Sequence, residues 1–255
     1  MNFEENFNIG ENYYVDGEYE KAIVYFEKCL KINKSNDCLN YIGCCYLGLK
    51  DYNTAIRIFN SIIASCPDSE RPVFNLGRAY LKLGELDKAL NSFEKAISIN
   101  PCSEDAYYYL GVYYQQIGDL ERAKMYYEKS LEIDNKQSET YLNLGICCFK
   151  LKLFEKALEA FSYAYKYDSE CIEAIQNKAL VYVNIKDYES ALKNFLTFNN
   201  FEPEDIDNVL DIAHCYYKMH DFENSYIWVK KALALDPQNE FANKLLSILS
   251  LKLQR

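Results

Sequence analysis

Small residues recur along this chain in pairs twelve positions apart: Gly10 and Ala22, Gly43 and Ala55, Gly77 and Ala89, Gly111 and Ala123, Gly145 and Ala157, Ala179 and Ala191, Ala213 and Ser225. From Gly43 to Ala213 each first member lies 34 residues after the last, and Gly10 to Gly43 is 33. A register held this long at this period means one supersecondary unit copied end to end, each copy buried by its neighbours and not by a central core.

The unit from Glu70 to Ser103 shows what is being copied. Pro72 suits a first helical turn, where its missing N–H has no partner to lose, and Val73, Leu76, Gly77 and Tyr80 follow at three- and four-residue spacing. This predicts a first helix (A) over about 71–83, closed by Gly84 in the left-handed conformation. Leu86, Ala89, Leu90, Phe93, Ala96 and Ile97 form the apolar stripe of a second helix (B), which Asn100-Pro101 stops. Gly77 and Ala89 are expected to mark a close crossing of the two helices. At the turn position Gly17, Gly84 and Gly118 alternate with Lys50, Lys152, Lys186 and His220, so those four are expected to be slightly strained or to use another turn. Asp51, Asp119, Asp187 and Asp221 come next, placed to cap helix B.

Val73, Leu76-Gly77, Tyr80, Ala89, Phe93, Ala96 and Pro101 match the pattern of the tetratricopeptide repeat family, which the chain resembles from about Phe3 to Asn239. Tyr107, Leu110-Gly111, Tyr114, Ala123 and Tyr127 repeat the match, as do Tyr141, Leu144-Gly145, Ala157, Phe161 and Ala164. The resemblance implies an all-α fold, a right-handed superhelical solenoid of antiparallel helix pairs. Its units are expected at 3–35, 36–69, 70–103, 104–137, 138–171, 172–205 and 206–239, with a capping helix over 240–255, all in one solenoid domain. The sixth unit departs from the pattern: Lys178 stands where the family has a buried leucine and Phe198 where it has alanine. Packing there is expected to be irregular, with the lysine stem running outward.

Composition narrows the function. With 28 basic and 38 acidic residues the net charge is −10, and no basic stripe offsets it, which argues against nucleic acid. No apolar run reaches secretory or membrane-spanning length, so a cytoplasmic protein is expected. Ten cysteines include no C-x-x-C, and Cys45, Cys147 and Cys215 share one repeat position that wants a compact apolar side chain. Neither metal nor cofactor is expected.

The family resemblance implies docking of an extended peptide or a helix in a groove lined by the A helices. Repeat position 2 there is acidic in six units, which the helix dipole explains, and Arg71 in the third. Arg78 and Lys82 follow Arg71 at seven and eleven residues, on one face of the same helix, so these three are the candidates to grip a carboxylate or phosphate. Phe74, Tyr108 and Tyr109 lie beside them as aromatic anchors. Asn75, Asn143 and Asn177 share position 6, where an amide is able to pair with a peptide backbone. The two-carboxylate clamp of one chaperone-binding subgroup is not reproduced, since of its residues only the arginine agrees.

His214 and His220 lie six apart, and the chain contains no glycine-rich phosphate loop, no His-Glu-x-x-His and no Gly-x-Ser-x-Gly, so no catalysis is expected. The reading is a non-catalytic scaffold for a protein or peptide partner, including one with an acidic group. Two alternatives stay open: self-association through Phe241, Leu245, Leu246, Ile248, Leu249, Leu251 and Leu253 of the last helix, making a homodimer through 240–255, and sensing of a short signalling peptide or small ligand.

Overall fold

A computed structural model of the chain describes residues 1–253. Among these there are fifteen helices and no strand. The A helices are α1 (Phe3–Val15), α3 (Asn36–Gly48), α5 (Glu70–Leu83), α7 (Glu104–Gln116), α9 (Ser138–Lys150), α11 (Ile172–Asn184), α13 (Ile206–Lys218) and α15 (Glu240–Leu253). The B helices are α2 (Tyr19–Ile32), α4 (Tyr52–Ser65), α6 (Leu86–Ile99), α8 (Leu120–Ile133), α10 (Phe154–Tyr167), α12 (Tyr188–Asn199) and α14 (Phe222–Leu235). Residues 254 and 255 of the expected 240–255 helix lie outside the described residues.

The chain divides into two compact units, Met1–Asp134 and Asn135–Arg255. Within the first, α1 to α8 pack in chain order, and successive A helices also touch, α3 with α5 and α5 with α7. Within the second, α9 to α15 pack likewise, with α9 touching α11. Burial is therefore local, pair against pair, as a copied hairpin requires.

Helix ends follow the local sequence. The carboxylates of Asp51, Asp119, Asp187 and Asp221 each accept the backbone N–H three residues on at 3.1 Å, and so satisfy one orphan donor of α4, α8, α12 and α14. Gly84 has φ 76°, and Lys50, Lys152, Lys186 and His220 adopt the same left-handed turn at 61–65° without a glycine's freedom.

The small residue on helix A lies against an aromatic ring of helix B, a partner that the repeat period does not name. A Cβ on Gly10, Gly43, Gly77, Gly111 or Gly145 would meet a ring sixteen residues later: Phe26, Phe59, Phe93, Tyr127 or Phe161, at 2.5 to 2.8 Å. Those rings are among the most completely buried side chains in the protein. The glycine thus clears space on helix A for the aromatic of helix B. In the last two pairs the register holds Ala179 with Phe195 and Ala213 with Val229, all four fully buried.

In the sixth unit α11 runs unbroken through Lys178. The lysine is half-buried, and its ammonium donates to Ser162 Oγ of α10 at 2.9 Å. The irregularity falls instead in α12, which has 12 residues where its sister B helices have 14. Phe198 is buried at its end. In α15, Ala242, Leu245 and Leu249 are buried against Val209, Leu210 and Val229, and Leu246 packs beside them. Phe241, Ile248, Leu251 and Leu253 are exposed.

Candidate functional site

Of the candidate residues of the third repeat, Arg71, Phe74, Asn75 and Arg78 line one cavity, within Met1–Asp134. Its volume is about 340 Å³, and its walls come from α3 (Asn40, Tyr41, Cys44), α5 (Arg71, Phe74, Asn75, Arg78) and the start of α7 (Glu104, Asp105). Spacings of three and four residues on α5 put Arg71, Asn75 and Arg78 on one side of the helix, so a single turn pattern supplies both cations and the amide between them.

Arg78 is held in place by its neighbours. Its Nε donates to the Tyr109 hydroxyl at 3.1 Å and a terminal nitrogen donates to Asn75 Oδ1 at 3.0 Å. The guanidinium also lies 5.7 Å from the ring centre of Phe74 and 5.3 Å from that of Tyr109. Asn75, 4% exposed, passes the chain of hydrogen bonds on by donating to Asn40 Oδ1 at 3.1 Å. Three successive A helices are thereby tied together through Asn40, Asn75, Arg78 and Tyr109. Arg71, by contrast, is exposed and makes no ion pair or hydrogen bond among the described residues.

The acidic side of the cavity is equally specific. Burial and the neighbouring Glu104 push the Asp105 carboxyl above its ordinary range, with Arg78 and Arg71 pulling the other way. Glu70 accepts from the Ser103 hydroxyl at 2.6 Å. Burial pushes the Cys44 thiol up to about 11 and the Tyr14 phenol up to about 12, so both are neutral at physiological pH. A second cavity of about 410 Å³ adjoins the first, sharing Asn40, Tyr41, Glu70 and Arg71 and adding Phe7, Asn36 and Asp37.

The remaining candidates fall elsewhere. Lys82 is exposed on α5 and does not line either cavity. Phe74, 7% exposed, is packed edge-on to Tyr109 with ring centres 5.3 Å apart, so most of its surface belongs to the core. Tyr108 is half-buried beside Tyr109, 5.2 Å away and nearly perpendicular. Asn143 is half-buried on α9. Asn177 spends an amide N–H on its own helix, donating to Glu173 O at 2.9 Å. Reasoning from repeat position missed Asn40, Tyr14 and Cys44, because what brings them to Arg78 is contact between repeats. Asn40 at position 5, one short of the asparagine position, was the available signal.

Among the described residues no group of three or more His, Cys, Asp or Glu is placed to hold a metal ion. Nor, among the described residues, is any helix long and apolar enough to cross a membrane.

Comparison with known proteins follows the architecture. Family models described as TPR repeat and tetratricopeptide repeat match residues 77–118, 102–170 and 207–239. A model of the anaphase-promoting complex, cyclosome, subunit 3, matches 15–96. No curated protein matches the chain. Among solved structures, the C-terminal part of a TPR repeat-containing protein from Cytophaga hutchinsonii is 20% identical with a TM-score of 0.73, over 94% of this chain and 99% of that one. YrrB, described as a TPR protein with an unusual peptide-binding site, is 22% identical with a TM-score of 0.67, over 73% of this chain and 96% of that one. A chain of the APC/C hetero-tetramer Cut9–Hcn1 is 18% identical with a TM-score of 0.67, over 94% of this chain and 48% of that one, so this chain spans about half its length. These likenesses carry the fold, and with the repeat models they agree with the hairpins seen here: the chain belongs to the tetratricopeptide repeat family.

Proposed function

We propose that this protein is a non-catalytic scaffold that receives a peptide segment of a partner protein along the A helices of residues 1–134, with an acidic side chain of that segment on Arg71 and Arg78. Tetratricopeptide-repeat proteins generally mediate protein–protein interactions, and YrrB is a relative in fold described as having a peptide-binding site. The observation that carries the reading is Arg71: an unpaired guanidinium on the rim of a 340 Å³ cavity, in a chain of net charge −10. A guanidinium that makes no ion pair or hydrogen bond of its own is available to an incoming carboxylate. Arg78 is already fixed by Asn75 and Tyr109, so little side-chain freedom is lost when it takes a ligand.

Selection of a random peptide library on the wild-type chain, followed by titration of the enriched peptides against Arg71→Glu, tests this. Enriched peptides are expected to hold Asp or Glu at a fixed place and to bind the variant at least about tenfold more weakly, which corresponds to roughly 1.4 kcal/mol. Enrichment without an acid, or equal affinity for the variant, removes the reading.

A second reading, self-association through α15, draws on Phe241, Ile248 and Leu251, which are 47%, 43% and 69% exposed. Light scattering of the full chain and of Phe241→Ser with Ile248→Ser decides it. A mass of one chain for both would end it.

A further inference from the structure

Lys178 breaks the repeat at a position filled by Leu76, Leu110, Leu144 and Ile212 in sister units, each of them buried. A half-buried ammonium in place of a leucine loses hydration, and an ion pair is the usual compensation. None is present: neither Lys178 nor the nearby Lys193 makes an ion pair among the described residues. Burial, with the charge of Lys193 adding to it, accordingly lowers the proton affinity of Lys178.

The surroundings supply a cavity and donors. A pocket of about 160 Å³, lying within residues 135–255, is lined by the apolar Phe161, Ala174 and Ile175 together with Ser162, Tyr165, Lys178, Asn194 and Thr197. The Ser162 hydroxyl gives its proton to Leu158 O at 2.6 Å and accepts from Lys178, which leaves the ammonium two further donors. Asn194 spends one amide N–H on Ser190 O, and its second is uncommitted. Lys178, Asn194 and Tyr165 thus line one small space whose lining includes no acid.

We infer that this pocket binds a phosphate group, held by the ammonium of Lys178 with Asn194 and Tyr165 as further donors and Lys193 as a second positive charge. Ammoniums act as point charges toward a tetrahedral oxyanion and lack the planar fork that pairs with a carboxylate, so this site differs in kind from the arginine site of residues 1–134. It stands independently of the peptide-docking reading. The phosphate is supplied either as a free ion or as a phosphomonoester on a partner residue.

Calorimetric titration of the full chain at constant ionic strength with inorganic phosphate, with O-phosphoserine and with acetate tests the site. The expected result is saturable binding of one phosphate compound per chain, at least about tenfold weaker in Lys178→Leu and weakened to a lesser degree in Lys193→Gln. Leucine is the residue that sister units bury here, so Lys178→Leu should keep or raise the unfolding midpoint, and lost binding in it is not a folding defect. Tighter binding of inorganic phosphate assigns the site to the free ion, and tighter binding of O-phosphoserine assigns it to a modified partner. Absence of saturable binding by both, equal binding by Lys178→Leu, or acetate binding as tightly as phosphate would overturn the inference.

Discussion

The ring of Phe93 occupies the place a side chain would need on Gly77, with Cε1 2.6 Å from where a Cβ at residue 77 would sit. Four other pairs sixteen residues apart are built the same way.

Gly77→Ala should therefore destabilise although alanine is the better helix former. Overpacking costs about 1 to 3 kcal/mol, while the helical preference of alanine over glycine returns up to about 1 kcal/mol. The chain itself holds Ala179 in register with Phe195, both fully buried, so a methyl group is tolerated at this position when the ring is set aside from it. A net loss of about 1 kcal/mol is expected in urea unfolding. A rise in the midpoint would show that the ring does not set the residue at position 77.

The left-handed turns predict the opposite sign. Lys152 and Lys186 sit at φ 61° and 65°, where a side chain costs roughly 1 kcal/mol. Glycine there gives part of that back through added flexibility of the unfolded chain, so each Lys→Gly change should stabilise by about 0.5 kcal/mol. Gly84→Ala should lose a similar amount for backbone reasons alone, since nothing lies within 4 Å of a Cβ at that position. Thermal midpoints of the three variants moving together in one direction would contradict this.

The same residues show how far the sequence could be read. Turn geometry at Lys50, Lys152, Lys186 and His220 and capping by the following aspartates are set within four or five residues, so repeat position alone placed them. The ring that presses on Gly77 was not legible, because the period reveals that a position is small and not what lies against it. Arg71 and Arg78 were legible as one helix face, but Lys82, read onto the same face, lies outside the cavity that Arg71, Asn75 and Arg78 line. The clamp on Arg78 was not legible, since Tyr109 reaches it, and Asn40 reaches its partner Asn75, from neighbouring repeats, and no within-repeat spacing encodes those contacts. Lys178 was visible as an exception, yet its link to Ser162 depends on how α10 and α11 pack.

Arg71 and Arg78 should separate in stability as they do in geometry. Arg78→Ala removes two hydrogen bonds and the guanidinium over two rings, and leaves Asn75 Oδ1 without its donor in a buried place. A loss of about 1 to 3 kcal/mol follows. Arg71→Ala removes an exposed side chain with no partner and should stay within about 0.5 kcal/mol of wild type. Comparable losses in denaturant unfolding for both variants would mean that Arg71 is tied down as firmly as Arg78.

Asp211 gives the protein a stability term that runs against the usual acid behaviour. It holds the repeat position that is Asn75, Asn143 and Asn177 elsewhere, and burial, then the charges of Asp207 and Asp205, raise its pKa from 3.8 to about 6. Because the folded value is the higher, the folded state binds more protons between those two values, so stability from this group is full below about pH 3.8 and is lost as pH rises through about 6. At neutral pH the ionised carboxylate opposes folding, by about 1 to 2 kcal/mol after allowance for its solvent-facing side. Asp211→Asn keeps the shape and removes the charge. The variant should exceed wild type in stability at pH 7, and the advantage should shrink steadily as pH falls from 6 toward 4. The difference between the two proteins in denaturant unfolding, followed across that range, reports this group alone, since every other carboxylate is common to both. A difference that stays constant with pH would mean that Asp211 has the same proton affinity folded and unfolded.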